Sequence, residues 1–363
     1  MVSNMRIAAQ RARRELELLA RAGLDLASFV DEVMSALQPV VPSAGSCFAT
    51  LDPATGLISG SFKYGPHAED RRYDAAWGLI EFGEPDETSF HRLLERGVDA
   101  VSMSVETDGQ IHRSPRLGAV LIPAFGVGDE LRAICRDRTS PWGALSLFRP
   151  QKDIAFSVAE TCFMASVSGV IAHGVRQGIL RQRAVTPPSA SAPAVLIVDA
   201  RGEVHMRSAH AEGLLALLEW RERPHSASAT FPPLFWTLVA AARVHAQQAP
   251  QSSTHTRVRT AQGGWLVLHA APLHGPDSRP GDVAVTITHA RGPEVMSLLL
   301  AASGLTDREC QVAELVLRGA STKEIAATLC LSPYTVQDHL KVVFEKVGVR
   351  SRRELISRIY VTG

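Results

Sequence analysis

Three hydroxyl–carboxylate pairs stand close together late in the chain: Thr306 and Glu309, Ser321 and Glu324, Ser351 and Glu354. A hydroxyl and a carboxylate three residues apart can satisfy each other's backbone amides at a helix start, so each pair marks one beginning. Ser332-Pro333 marks another, with proline in the first turn, where its missing N–H costs nothing. The helix that begins at Pro333 has two unlike faces. Val336, Leu340, Val343, Phe344 and Val347 form one; Tyr334, Gln337, Asp338, Lys341 and Glu345 form the other. The polar face carries chemistry suited to base edges in a major groove. Glutamine can bond adenine bidentately, lysine can donate to guanine, and aspartate can accept from the amino group of cytosine.

Little else in the chain promises reactivity. No P-loop, G-x-S-x-G or H-E-x-x-H pattern occurs. Eight of thirteen histidines fall between His205 and His289, but their spacing matches no ligand set, and they are expected on the surface. The five cysteines are far apart, odd in number and without a C-x-x-C pair, which argues against a disulfide framework or zinc site and for a reducing cytoplasm. Cys47, on an expected strand, reads as a small buried hydrophobe. His339 reads as a packing or phosphate residue. An acidic receiver-type pocket is not apparent. The expectation is no enzyme, no metal and no identified cofactor.

The polar face needs a scaffold, and one can be drawn from local chemistry alone. Four short helices are expected near 307–318, 322–329, 333–347 and 352–360, with Gly319 ending the first. Val312, Leu315, Val316, Ile325, Leu329, Leu355, Ile356 and Ile359 supply apolar positions that can face the stripe of the third helix. Ala326 is small where two helices would cross. Cys330-Leu331-Ser332 leaves only a short turn between the second and third helices, as in a helix-turn-helix whose second helix reads DNA. A small bundle for dimerisation is the rival reading, and the polar exposed face weighs against it.

The stretch LTDRECQVAELVLRGASTKEIAATLCLSPYTVQDHLKVVFEKVGVRSRREL resembles the LuxR/GerE helix-turn-helix family. It carries L-T-x-R-E, G-x-S-x-K-E-I-A, L-S-x-x-T-V-x-x-H-L and K-x-G-V-x-S-R-x-E-L, with Val347 where leucine is usual. The resemblance implies that Gln337, Asp338 and Lys341 meet bases. It also implies that Thr322, Lys323, Ser332, Tyr334 and Thr335 contact phosphate, which positions without specifying. The family often has Lys or Arg at the Gln337 position and a neutral residue at Asp338, so this helix is less basic than usual. Lys346, Arg350 and Arg352 add charge at the edge or are simply solvated. From Leu305 onward nine Lys and Arg stand against seven Asp and Glu. That modest field implies weak binding by one copy, improved by pairing two. In the family the last helix commonly helps that pairing.

At 363 residues the chain is too long for one core, and two or three domains are expected. With 45% apolar and 21% charged residues and a net charge of +1, it has the composition of a soluble globular protein. Its first residues read as an amphipathic helix rather than a secretory leader. No apolar run is expected to approach the ~18 residues of a membrane span. AVTPPSASAP at 184–193 reads as a linker, and Arg291-Gly292-Pro293 as a second boundary.

Before that linker, a helix near 24–37, two strands around DPATG, the strand SPWGALSLFR and a long helix near 155–182 suggest an α+β unit. Their order resembles a GAF domain. After it, AVLIVDARGEVHMRSAHAEGLLALL reads as a hairpin and short helix, TRVRTAQGGWLVLHAAPL as another hairpin, and DVAVTITHA as a last strand. This resembles a PAS domain, although Arg207-Ser208-Ala209 stands where that family usually has Asn. The expected architecture is two α+β sensor-like domains followed by an all-α four-helix domain. The segments are 1–183 GAF-like, 184–193 linker, 194–291 PAS-like, 292–304 linker helix and 305–363 LuxR-type. The expected function is a cytoplasmic, sequence-specific DNA-binding regulator acting as a homodimer on double-stranded DNA. A small-molecule effector in an N-terminal domain, RNA polymerase contact if it is an activator, and no membrane are expected. The alternatives are N-terminal protein–protein scaffolds without a ligand, or a haem or redox sensor.

Overall fold

The computed structural model describes residues 2–137, 140–181, 192–218, 231–248, 254–260, 263–274 and 281–362. All of the expected linker except 192–193 lies outside them. The first unit opens with α1 (Val2–Arg21) and α2 (Leu26–Leu37), whose N-cap Asp25 accepts from the amides of Ala27 and Ser28. Then come β1 (Gly45–Leu51), β2 (Ile58–Tyr64), α3 (Pro66–Glu69), α4 (Asp74–Gly83), α5 (Phe90–Glu95), β3 (Ala100–Ser102), α6 (Met103–Glu106), α7 (Ile122–Phe125), β4 (Val127–Asp137), β5 (Ser140–Pro150) and α8 (Val158–Arg181). The second unit comprises β6 (Ala194–Val198), β7 (Val204–Arg207), α9 (Ala211–Leu217), α10 (Pro233–Gln248), β8 (Thr254–Arg259), β9 (Trp265–Pro272) and β10 (Val283–His289). Helix α11 (Gly292–Ala302) leads into α12 (Asp307–Leu317), α13 (Thr322–Thr328), α14 (Pro333–Val347) and α15 (Arg352–Thr362).

Each of the first two units holds a five-stranded antiparallel sheet, ordered β2-β1-β5-β4-β3 and β7-β6-β10-β9-β8. Alternation along the strands divides the first sheet's faces. Phe48, Phe62, Leu145 and Leu147 pack with the stripe of α8 and with α2. Gly174 lets α2 approach: a Cβ there would stand 2.0 Å from the Phe29 ring. The sequence holds no unbroken apolar run of a membrane span's length, but among the described residues α8 is, by length and composition alone, one helix long and apolar enough to cross a bilayer. Its Phe163, Met164, Val167, Ile171 and Val175 are instead buried in this core, and its small residues let neighbours pack close.

Inside the first unit lies an ion cluster. Arg116 donates hydrogen bonds to Asp86 and Glu130 and ion-pairs with Glu81, while Arg132 bonds Glu81 and approaches Glu130. All but Asp86 are fully buried side chains, and Asp86 is 4% exposed. The cluster ties α4 and the loop after it to β4.

The two sheet units share their cores. Trp265 and Val267 join the cluster built by α1, α2 and α8, and Ala49, Leu51 and Ile58 join the cluster of the second sheet. At the meeting of β2 and β8, Thr256 Oγ1 donates to Ile58 O at 3.2 Å. Arg257 Nε donates to Asp52 Oδ2 at 2.7 Å, and the same guanidinium reaches Ser297 Oγ on α11 at 2.7 Å. Helix α11 is buried on two sides: Val295, Leu298, Leu299 and Ala302 against the shared core, Met296 and Leu300 against the last four helices. At its end Arg176 donates to Ala302 O at 3.1 Å.

Candidate nucleic-acid interface

The last four helices begin as their local chemistry dictates. Thr306 and Glu309 close a reciprocal capping box, as do Ser321 and Glu324. The third pair differs: Glu354 N bonds Ser351 Oγ at 3.1 Å, but the Glu354 carboxylate accepts from the amide of Arg350, not Ser351. Ser332 caps α14 by accepting from Thr335 N at 3.1 Å. Gly348, at φ 71, closes the far end in a left-handed turn open to glycine without a Cβ clash. Between α13 and α14, Cys330 sits at φ 52, and Leu331 N returns to Ala326 O at 2.9 Å.

Packing decides which face of α14 is presented. Val336, Leu340, Val343 and Val347 are buried with Val312, Val316, Ile325, Ala326 and Leu355. Phe344, Leu315, Leu329 and Ile356 are partly buried against the same core. Tyr334, Thr335, Gln337, Asp338, Lys341 and Glu345 face outward, with Tyr334 82% exposed. Lys341 Nζ lies 3.4 Å from Asp338 Oδ1 with both side chains more than 70% exposed, so solvent screens the pair and it holds neither group strongly. The structure thus brings Gln337, Asp338 and Lys341 onto one open face, with Ser332, Tyr334 and Thr335 around its start. Lys323 is exposed on α13, whereas Thr322 is half-buried and its hydroxyl accepts from Arg352 at 2.9 Å. His339 is half-buried.

Two of the three cations expected at the edge are committed within the module. Lys346 pairs with Glu309 at 2.6 Å, and Arg352 donates to Ala320 O at 2.7 Å. Burial pushes the Glu309 carboxyl up, but hydrogen bonds from Lys346 and the Thr306 amide outweigh it, leaving it below its ordinary value. Burial, the largest cause at both, raises the Cys47 thiol to about 11 and, with the Asp99 carboxylate adding to it, the Cys135 thiol to about 12, so both stay protonated and poorly nucleophilic. Among the described residues no group of three or more His, Cys, Asp or Glu could hold a metal ion. The contribution of Met296 and Leu300 to this module's core was missed by sequence reasoning; only an apolar pattern in 293–302 pointed to it.

Residues 303–359 match the family described as "Bacterial regulatory proteins, luxR family". Transcriptional regulatory protein DesR of Bacillus subtilis (strain 168) is 45% identical over 67 residues, 18% of this chain and 34% of DesR. The probable HTH-type transcriptional regulator GfsR of Streptomyces halstedii is 32% identical over 114 residues, 31% of this chain and 42% of GfsR. The matched region thus spans about a third of DesR and under half of GfsR. The crystal structure of PelD 158-CT from Pseudomonas aeruginosa PAO1 covers 80% of this chain and 81% of its own at 14% identity, but a TM-score of 0.30 supports no argument from it. The last four helices are therefore a LuxR-type helix-turn-helix domain, and the two sheet-containing units before it are α+β.

Proposed function

We propose that the chain is a transcription regulator whose LuxR-type domain reads double-stranded DNA with Gln337, Asp338 and Lys341. The two α+β units, read as GAF-like and PAS-like, sense the controlling input in the cytoplasm. The observation that carries the DNA reading is the open polar face of α14 on a domain of the LuxR family. Thr322, Lys323, Ser332, Tyr334 and Thr335 hold phosphates and set the register. The modest charge of the module favours a homodimer on a two-fold site, with recognition helices one DNA turn apart. Helix α11 supports the coupling. One side of it is buried with the sensing units and the other with the DNA module, including Leu355 of α15, the helix the family uses for pairing. A shift of α11 on ligand binding changes how two modules meet.

The test is anisotropy on a promoter fragment recovered by genomic selection. Gln337→Ala and Lys341→Ala each cost about 1–3 kcal/mol on that fragment and blur its sequence preference. Lys323→Ala weakens all sequences evenly and lowers the salt slope by about 0.9. A Gln337/Lys341 double variant that binds its fragment as the parent does would refute the assignment.

A further inference from the structure

The face of the first sheet opposite α8 is not filled. A cavity of about 50 Å³ lies there, floored by Cys47, Ser61 and Ser146 and walled by Trp77, Phe90 and Phe125. Helix α4 brings one more group to it. Asp74 is 5% exposed, and its Oδ1 takes the ammonium of Lys63. Its Oδ2 has no hydrogen-bond partner; Arg71 Nε stands 3.6 Å away, an ion pair but not a hydrogen bond. A buried oxygen left without a donor is unfavourable, and a ligand that supplies one recovers the deficit.

Charge and size narrow the ligand. In and around the cavity five cations face five carboxylates, so the charges balance overall: Lys63 and Arg71 share Asp74, Arg72 takes Asp70, and Arg116 and Arg132 meet Glu81, Asp86 and Glu130. An ion entering apolar walls without a counter-charge would meet a large desolvation penalty, so the fit is to a neutral molecule. Aromatic walls favour a flat apolar body. A space that would hold roughly three or four waters suits roughly five to eight bonded non-hydrogen atoms, one end reaching the mouth.

We propose that this cavity is a ligand site for a small, flat, uncharged molecule whose single hydroxyl or N–H donates to Asp74 Oδ2. The proposal rests on the sensing reading above and gives it a place. Pro233, the first residue of α10 in the second unit, lines the same cavity. Nearby, α4 and α10 cross at Gly78, where a Cβ would stand 2.6 Å from Trp236 Cβ. An occupant therefore touches both units where they are locked together.

The test uses the full chain and two probes of one shape, 4-fluorophenol and 4-fluorotoluene, titrated by fluorine NMR. The phenol binds about tenfold tighter, one charge-assisted hydrogen bond's worth. Asp74→Asn narrows the gap, and Lys63→Met with Asp74→Leu, which removes the buried pair together and so leaves no stranded charge, abolishes it. No binding of either probe, equal binding of both, or a gap that survives the double substitution overturns the proposal. DNA affinity at saturating 4-fluorophenol separates the two claims: phenol-selective binding that leaves DNA affinity unchanged keeps the ligand site and removes the sensing reading.

Discussion

Arg257 is the strut between the two sheet units and α11, and its removal has a calculable cost. Its side chain is 5% exposed and that of its partner Asp52 is 0% exposed. The guanidinium makes two bonds to Asp52, one to Ser297 Oγ and one to Glu294 O at 3.3 Å. In Arg257→Met the Asp52 carboxylate stays buried but keeps two backbone donors, Ala54 N at 3.0 Å and the amide of residue 257 at 3.1 Å. Breaking a buried pair from one side costs about 3–5 kcal/mol, and the retained amides place this case at about 3. Asp52→Asn keeps the turn but strands a buried guanidinium, again at about 3 kcal/mol. With both changes the stranded charges vanish, so the double variant loses about 4 kcal/mol and the pair couples by about 2. Urea unfolding followed by tryptophan fluorescence reads this directly, since Trp142 and Trp265 are buried in the shared core. Losses that simply add, to within about 0.5 kcal/mol, would show that the strut carries no specific coupling.

Two further outcomes follow from the last domain. Cys330 holds φ 52 with a Cβ, so Cys330→Gly should stabilise the domain by about 0.5 kcal/mol, the relief exceeding glycine's entropy, whereas Cys330→Val should lose at least about 1 kcal/mol; thermal melts of both variants check the order. Glu309 has its folded pKa held below the ordinary carboxylate value, so its contribution is complete above that value and lost as pH falls through the lower folded one. Glu309→Gln should flatten the melting-temperature profile below about pH 4.5, and an unchanged acid limb would remove this role.

The LuxR-type domain was legible residue by residue because its determinants are local. A cap and its amide lie three residues apart, and Ser332, Pro333 and Gly348 bound a helix whose polar and apolar stripes follow from its period. The hairpins β1–β2 and β6–β7 were legible for the same reason, each announced by its turn. Strand β4 and helix α10 escaped notice, and so did every partnership across the units. Arg132 finds Glu81 at 51 residues' separation, and Arg257 finds Asp52 at 205. Nothing in either neighbourhood names the other, because an isolated arginine in a strand pattern reads as solvated surface. Likewise α11 looked like a connector, since its pattern gives the apolar positions but not the two cores that claim them. Local hydrogen bonding and periodicity settled what each segment becomes. Which buried charges meet, which sheet edges abut and where a cavity is left depended on the whole chain closing, since burial and long-range pairing have energies only once distant residues share one interior.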